Sequence, residues 1–196
     1  VRTPRRHVCF GLDECLAALA ELGAPVVAKV LDAAITHKTE VGGVQVGLFD
    51  AAMLTAALDG FVEAGLRSDR VLIEEQVGAG PELIVGAIRD AVFGPTVMIG
   101  LGGTLAEVAP PVAMRLAPLS VEDLAEMVGA LPSPVREGRS GAALDAESLA
   151  RTISAVGALV VEHDPIESVE INPLRITADG IVALDAVISI RPGVVQ

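Results

Sequence analysis

The stretch SVEINPLRITADGIVALD, residues 168–185, has the pattern of a β-hairpin. Val169 and Ile171 alternate with polar residues, as on a half-buried strand. Residues 178–180 predict the turn, where Gly180 can take the positive φ that such a turn needs. The segment IVALD then alternates again, so we expect it to return antiparallel to the first arm.

Three polar side chains fall together on this predicted hairpin. Asn172 and Asp185 would lie side by side on neighbouring strands, and Glu170 shares a face with Asn172 because the two are two residues apart. Two carboxylates and an amide supply the hard oxygen ligands that Mg²⁺ takes, usually with phosphates in its shell. The alternative is that both acids lie on the solvated face of an edge hairpin.

The composition predicts a globular protein with an aliphatic core. The chain has 196 residues, of which 52% are hydrophobic and 2% aromatic, and it contains neither Trp nor Tyr. Fourteen basic against 26 acidic residues give a net charge of -12, which argues against a nucleic-acid or anionic-membrane surface. An acidic protein that binds phosphates must use a few placed cations, backbone amides and a metal.

The cysteines and the hydropathy pattern indicate a cytoplasmic protein. Cys9 and Cys15 are too few for a disulfide framework and lack metal-ligand spacing, and Cys15 lies among leucines as a small buried residue would. No apolar run reaches transmembrane length, and no charged-then-apolar leader is present. Because the first residue is Val, we expect a processed or excised piece of something longer.

Hydrophobic periodicity predicts alternating strands and helices in two lobes. The basic cluster at residues 2–7 is expected to fray. A glycine-rich break at 78–81 separates a smaller lobe, 1–77, from a larger lobe, 78–196, which is mostly antiparallel sheet. This is an α+β, two-lobe plan whose cleft is the default ligand site. The predicted strands cover 8–10, 25–30, 44–48, 71–77, 82–88, 96–100 and 112–116, the predicted helices cover 13–22, 50–64, 121–131 and 146–162, and a polar loop covers 133–141.

Two cationic positions could carry chemistry in the smaller lobe. Lys29 is a lone cation in an apolar strand, so its head either reaches the surface or faces the cleft and meets an anion. His37 and Lys38 precede Gly42-Gly43, and such a glycine pair lets backbone amides approach phosphate oxygens. His37 could act as a nucleophile or proton shuttle; the alternative is a solvated turn with a surface histidine.

Two further segments carry weaker signals. Residues 74–76 end a strand at the lobe boundary, where free backbone N–H and C=O groups would suit an adenine edge. The Gly-rich turn at 100–103 matches neither the phosphate-loop nor the dinucleotide pattern. Arg115 follows that turn and could face the cleft or solvent.

Four blocks in one order resemble a known family. They are PVVAKV followed by HKTEVGGV, then PELIVGAIRDAVFGPTVMIGLGG, then VAMRLAPLS, and finally EINPL followed by ALDA. Together they resemble the ATP-grasp domain of the ADP-forming acyl-CoA synthetases, the acetate–CoA ligase family, which is related to the succinyl-CoA synthetase β subunit. The resemblance covers residues 8–190.

The resemblance implies a role for each matching residue. Asn172 and Asp185 match the Mg²⁺ ligands, and Glu170 matches a carboxylate near the phosphohistidine of a partner domain. His37 matches a histidine proposed in the family as a second phosphoryl carrier. The expected nucleotide-binding residues are Lys29 at the phosphates, Gly42 and Gly43 in a flap over them, Glu75, Gln76 and Val77 at the adenine hinge, Glu82 near the ribose, and Arg115.

The resemblance also implies an activity. The chain would be the ATP/ADP- and Mg²⁺-binding part of an acid–thiol ligase that interconverts acid, CoA and ATP with acyl-CoA, ADP and phosphate through phosphohistidine. The CoA-binding and phosphohistidine-bearing domains would be its partners. The family's arginine loop is altered around Arg136 and Arg139, where Glu137 and Ser140 replace glycines. A non-catalytic nucleotide-sensing module therefore remains the alternative, and a carboxylate–amine ligase fits the motifs less well.

Overall fold

A computed structural model describes residues 1–32, 34–35, 38–103, 112–138 and 142–191. It consists of two compact units. The small unit is Pro4–Val77, and the large unit joins Val1–Thr3 to Gly78–Gln196. Both units combine helices with antiparallel sheet, in agreement with the predicted α+β class. The assignment of 1–77 and 78–196 as two functional lobes stays a prediction.

The small unit is a four-stranded sheet in the order β1-β4-β2-β3 with two helices. Strands β1 and β2 both pair antiparallel with β4, so they run parallel to each other with β4 between them. The small unit thus contains a split β-α-β arrangement, in which β4 separates the two parallel strands. Its elements are β1 (Arg6–Cys9), α1 (Leu12–Leu22), β2 (Val26–Val30), β3 (Val44–Leu48), α2 (Ala51–Glu63) and β4 (Val71–Glu75).

The prediction that the basic N-terminal cluster frays is wrong. Arg6 and His7 lie in β1 and pair with Glu74 and Ile73 of β4. The Nε of Arg5 lies 2.7 Å from a carboxylate oxygen of Glu75, just outside the strand. The acidic end of β4 therefore holds this segment through backbone and side-chain contacts.

One face of the small sheet packs against the helices. Asp50 caps α2 by accepting a hydrogen bond from the backbone N–H of Met53. Cys9 and Cys15 are both 1% exposed, which confirms the expectation for Cys15. The rest of this core is aliphatic apart from Phe61, and comprises Ala18, Leu22, Val26, Ala28, Val30, Leu48, Leu54, Phe61, Val71 and Ile73.

The large unit is an antiparallel sheet in the order β10-β8-β5-β6-β7, with β9 also paired to β8. Helix α5 packs across β5, β6 and β8 and builds the core with them. The elements are β5 (Glu82–Asp90), β6 (Gly94–Leu101), β7 (Ala113–Leu116), α3 (Val121–Ala130), α4 (Ser133–Arg136), α5 (Ala146–Glu162), β8 (Ile166–Thr177), β9 (Gly180–Ala183) and β10 (Ala186–Ile190).

The helices of the large unit follow their local signals. Helix α5 has the predicted bounds, and α3 begins at a capping box between Ser120 and Asp123. The predicted loop at 133–141 is wrong at its start, because Ser133–Arg136 forms the short helix α4 with Pro134 in its first turn. Among the helices described, none is long and apolar enough to cross a membrane.

The predicted hairpin at 168–185 is confirmed. Its two arms keep one register from the pair Thr177–Gly180 at the turn to the pair Ser168–Ser189. Gly180 has a φ of 108°, the conformation expected from the turn signal. Strand β8 thus pairs with β9 at residues 174–177, near the turn, and with β10 over residues 166–171.

Strand β8 contains a bulge that the alternation of apolar and polar residues in its sequence does not predict. On the neighbouring strand, Leu83 pairs with Leu174 and Val85 pairs with Ile171, so Ile84 alone faces both Asn172 and Pro173. The extra residue changes the phase of the strand, and Ile171 and Leu174 both point into the core although they are three residues apart.

Candidate functional site

Asn172 and Asp185 lie next to each other at the bulge. The backbone N–H of Asn172 donates to the carbonyl oxygen of Asp185 at 3.1 Å, as the predicted hairpin register requires. Glu170 lies on the same face, with its Oε1 3.4 Å from the Nδ2 of Asn172. The predicted cluster of two carboxylates and one amide is therefore assembled. The residues on either side of Glu170 in the strand, Val169 and Ile171, point into the core.

The bulge explains why polar groups can gather in the middle of a sheet. Pro173 has no backbone N–H to offer a ladder, and a bulge is one of the few places where a central strand accepts proline. Asn172 and Asp185 are half-buried, and Glu170 is exposed. Asp185 sits between β9 and β10, and its Oδ1 accepts the backbone N–H of Ala186 at 2.9 Å.

A glycine turn reaches this cluster from the neighbouring strands, a contact that sequence reasoning missed. After β6, the backbone N–H of Gly103 donates to the Oδ1 of Asn172 at 3.1 Å. Glu82, the predicted ribose residue, lies opposite Arg175 of β8, whose Nε donates to the Oε1 of Glu82 at 3.1 Å. Glu82 directly precedes the core-facing Leu83 and Asn172 directly follows the core-facing Ile171, so both lie on the face of the large sheet that points away from the core.

These residues fit a magnesium ion by the chemistry of their donors. Asp185 offers a carboxylate and Asn172 an amide oxygen, and Glu170 adds a second carboxylate next to the amide. Mg²⁺ is usually held by one or two carboxylates, with waters and phosphates completing an octahedron. Within the described residues, no group of three His, Cys, Asp or Glu side chains is gathered for a metal.

Lys29 forms an ion pair with a carboxylate of the protein itself, that of Glu74. Its Nζ lies 2.6 Å from the Oε2 of Glu74, on the sheet face that points away from α1 and α2. Glu74 is 2% exposed and is opposite Val27 in the register of β2 and β4. The sequence left open whether the head of Lys29 reaches the surface or meets an anion in the cleft. In the structure it pairs with a carboxylate of the protein itself, and its contact with nucleotide phosphates stays a prediction.

The glycine pair uses its amides within its own turn. The N–H of Gly43 donates to the carbonyl of Lys38 at 2.7 Å, and that of Gly42 donates to the carbonyl of Thr39 at 3.2 Å. A Cβ on Gly43 would press on Val30, which explains the need for glycine there. Phosphate contact through these amides requires the turn to exchange its hydrogen bonds. His37 lies outside the described residues.

The hinge amides are also engaged, which corrects the expectation that they are free. The N–H of Glu75 donates to Arg5 at 3.0 Å, and that of Gln76 donates to Pro25 at 3.1 Å. The side-chain oxygen of Gln76 accepts the N–H of Gly47 at 2.5 Å. Since β4 is a central strand, its donors are used by the strands on either side. Val77 ends the small unit.

Arg115 is not brought to this cluster. It lies on β7, which two strands separate from β8. Its guanidinium contacts Glu126 at 2.7 Å and Asp123 at 3.6 Å, both on α3. The backbone N–H of Ser120, and then its hydroxyl, hold the pKa of the Asp123 carboxyl below its usual range, with Arg115 adding to the effect. Arg115 therefore joins α3 to the sheet edge.

The altered arginine loop is only partly described. The Nε of Arg136 donates to the carbonyl of Leu131 at 2.9 Å, so this side chain closes the turn between α3 and α4. Arg139 lies outside the described residues.

The comparisons with known proteins agree with this arrangement. The ATP-grasp domain family model matches residues 1–190. Subunit beta of the ADP-forming acetate–CoA ligase I of Pyrococcus furiosus is 33% identical over 95% of this chain and 84% of its own length. The ADP-forming acetate–CoA ligase I of Archaeoglobus fulgidus is 31% identical over 91% of this chain, which spans 27% of that longer protein.

Solved structures of one protein share the fold closely. The dinucleotide forming acetyl-coenzyme A synthetase 1 of Ca. Korarchaeum cryptofilum, in complex with coenzyme A, Ca-AMPCP and HgCl⁺, has a TM-score of 0.88 at 29% identity, covering 97% of this chain and 87% of that one. Its complex with coenzyme A and Mg-AMPPCP, in which the phosphohistidine segment points towards the nucleotide binding site, has a TM-score of 0.80 at 31% identity, covering 97% and 86%. The chain thus belongs to the ATP-grasp family and is a homologue of subunit beta of the ADP-forming acetate–CoA ligases.

Proposed function

We propose that this chain is the nucleotide- and magnesium-binding part of an ADP-forming acyl-CoA synthetase. The observation that carries the proposal is the cluster of Asn172, Asp185 and Glu170, assembled at the bulge of β8 in a chain that is 33% identical to an acetate–CoA ligase subunit beta. Such a part would transfer a phosphoryl group between ATP and phosphohistidine while acid and CoA are interconverted with acyl-CoA.

The large unit would hold the metal. Asn172 and Asp185 would be its ligands, and Mg²⁺ would neutralise charge on the transferred phosphoryl group. Glu170 is exposed beside them, where a phosphohistidine from a partner could approach. Glu82 would accept a hydrogen bond from a ribose hydroxyl.

The small unit would hold the remaining nucleotide groups. Lys29 would exchange part of its contact with Glu74 for the phosphates, which suits an acidic protein with few placed cations. Gly42 and Gly43 would cover the phosphates after their turn rearranges. Glu75, Gln76 and Val77 would present backbone carbonyls to the adenine, since two of their three amides already donate elsewhere.

The proposal includes partners and a location. The match to a separate subunit beta, and to 27% of a longer ligase, supports assembly with CoA-binding and phosphohistidine-bearing domains. The Korarchaeum complexes with coenzyme A point the same way. Two buried free thiols, Cys9 and Cys15, suit a reducing compartment, so we place the enzyme in the cytoplasm.

Calorimetric titration of the chain with ADP, with and without Mg²⁺, tests the proposal. The wild-type chain should bind ADP more tightly with Mg²⁺, and Asp185→Asn should lose that gain. Asp179→Asn removes the same charge at the exposed turn of the same hairpin and should behave as wild type. Absence of ADP binding by the wild-type chain, or an unchanged Mg²⁺ effect in Asp185→Asn, would overturn the proposal.

A non-catalytic nucleotide-sensing module is the second candidate. It is favoured by the glycine-pair amides of Gly42 and Gly43, which already donate within their own turn, and by the replacement of loop glycines by Glu137 and Ser140. Such a module would bind ADP without ever carrying a phosphoryl group, which is the point on which the two candidates differ.

A further inference from the structure

The turn after β6 connects two residues of the proposed site. The backbone N–H of Gly102 donates to the carbonyl of Glu82 at 2.8 Å, and the N–H of Gly103 donates to the Oδ1 of Asn172 at 3.1 Å. Glu82 begins β5, and Asn172 lies at the bulge of β8. The Gly-rich segment, which matched no phosphate-binding pattern, therefore spans from one predicted ligand-binding residue to another.

This turn has no room for side chains. A Cβ on Gly102 would overlap the backbone of Leu83, and a Cβ on Gly103 would overlap the carboxylate of Glu82. Gly103 also has a φ of +61°, which L side chains rarely adopt. Glycine is thus required at 103 both for the backbone conformation and for the close approach to Glu82.

Arg175 holds Glu82 from the other side. It lies directly opposite Glu82 in the register of β5 and β8. Its Nε and Nη2 both donate to the Oε1 of Glu82, the Nε at 3.1 Å, and the two side chains are about a quarter exposed. Two hydrogen bonds from a planar guanidinium restrict the rotamer of a carboxylate more than a single point charge does.

We propose that Gly103 and Arg175 are positioning residues for the site described under the proposed function, on which this inference rests. The N–H of Gly103 selects the oxygen end of the Asn172 carboxamide, because the NH₂ end cannot accept that hydrogen bond. A flipped amide would present hydrogens to the cation instead of a ligand oxygen. Arg175 holds the Glu82 carboxylate in place for a ribose hydroxyl.

The first test compares Gly103→Ala with Gly94→Ala by calorimetric titration with ADP and Mg²⁺. Gly94 has a φ of +80° and no atom within 4 Å of the place that a Cβ would take, so its substitution has the same backbone cost without the overlap. Mutation of a residue that hydrogen-bonds to a metal ligand typically weakens metal affinity by about 10- to 100-fold. We expect the Mg²⁺ concentration for half-maximal effect to rise at least about tenfold in Gly103→Ala and to stay at the wild-type value in Gly94→Ala.

The second test uses the backbone amide resonance of Gly103 in the ADP-bound wild-type chain. Addition of Mg²⁺ should shift this resonance, because its acceptor, the Oδ1 of Asn172, becomes a metal ligand. The amide of Gly94 should not move. A Gly103 resonance that stays in place on Mg²⁺ addition would overturn the role of Gly103 even if Gly103→Ala fails to fold.

The third test separates the ribose end from the metal end. Arg175→Gln should weaken ADP binding about tenfold without Mg²⁺, with Arg175→Lys intermediate, while the half-maximal Mg²⁺ concentration at saturating ADP stays unchanged. Equal binding by all three proteins would overturn the role of Arg175. If the wild-type chain binds no ADP, the proposed function itself fails; if it binds and the variants match it, only this inference fails.

Discussion

The Nζ of Lys29 lies 2.6 Å from the Oε2 of Glu74, with the two side chains 14% and 3% exposed. Glu74 is the single charged residue in the buried set of the described part of the chain. The Nη1 of Arg6 lies 3.9 Å from its other oxygen. A buried carboxylate is tolerated only with such partners, because its desolvation is costly.

Removal of one member of this pair should destabilise the protein more than removal of both. Glu74→Leu removes the buried carboxylate that the Lys29 ammonium contacts, and breaking a buried pair costs about 3 to 5 kcal/mol. We expect about 3 kcal/mol here, since Lys29 keeps some solvent contact. The double variant Lys29→Met/Glu74→Leu should be more stable than Glu74→Leu alone, as measured by urea unfolding followed by circular dichroism.

Glu21→Gln is the control for this cycle, because Glu21 pairs with His7 at an exposed site and its loss should have little effect on stability. Additive losses in the Lys29→Met/Glu74→Leu cycle would contradict the assignment of Lys29 and Glu74 as a coupled pair.

Arg115→Gln should leave nucleotide binding unchanged within about twofold, although the sequence assigned this residue to the nucleotide. Its guanidinium contacts Asp123 and Glu126 on α3, so the substitution should instead lower the thermal midpoint by a few degrees. Glu126→Gln should give a similar, smaller loss. A tenfold loss of ADP affinity in Arg115→Gln, measured by the same calorimetric titration, would restore the sequence-based assignment.

His37 decides between the two candidate functions. If the chain is part of the synthetase, incubation with radiolabelled Mg-ATP and the phosphohistidine-bearing partner should place on it a phosphate that is labile to acid and stable to base. His37→Ala should lose this label, because imidazole is the nucleophile. His163→Ala, at the exposed C-terminal end of α5, should keep it. A label that persists in His37→Ala would exclude the relay role.

The thiols of the native protein should be unreactive at pH 8. Burial, and then the neighbouring Cys9, raise the pKa of the Cys15 thiol from 9.0 to about 12. Burial also raises the pKa of Cys9. The thiolate is the nucleophile, and about 1 in 10⁴ Cys15 side chains would be ionised at pH 8. A colorimetric thiol reagent should therefore label both cysteines in urea and neither in buffer.

The same pKa shift has a sign for stability. The pKa of Cys15 in the folded protein lies above 9.0, its value in the unfolded chain. The contribution of this thiol to the free energy of unfolding is therefore fully present below pH 9 and is lost as pH rises towards 12. Cys15→Ala should flatten this alkaline decline in urea unfolding experiments. Rapid labelling of one thiol in the native protein would contradict the burial of this pair.

Elements whose pattern is local were predicted well. Helix α5 runs over the predicted residues, and the Asp50 cap and the hairpin turn at Gly180 are where their residue types indicate. Each depends on contacts between residues within a few positions along the chain. The basic N-terminus was mispredicted because its order comes from β4, nearly 70 residues away in sequence.

Within the site, the sequence placed Asn172 beside Asp185 and Glu170 but not the residues around them. Gly103 contacts Asn172, and Arg175 contacts Glu82. Each contact joins two different segments of the sheet, and a local sequence pattern does not predict which segments become neighbours. The signals available were the Gly-rich turn at the end of β6 and a cation two residues after Pro173. Neither signal predicts which residue the glycine turn or the cation contacts.

The sequence by itself determined the α+β class, the hairpin with its cluster of two carboxylates and an amide, and the resemblance to the ATP-grasp family. These follow from periodicity, turn residues and motif order, which are properties of neighbouring residues. Only the tertiary structure decided that Lys29 meets Glu74, that Arg115 binds α3, and that a bulge at Asn172 turns β8 out of phase. Those outcomes depend on which strands become neighbours, and strand order is set by burial over the whole unit.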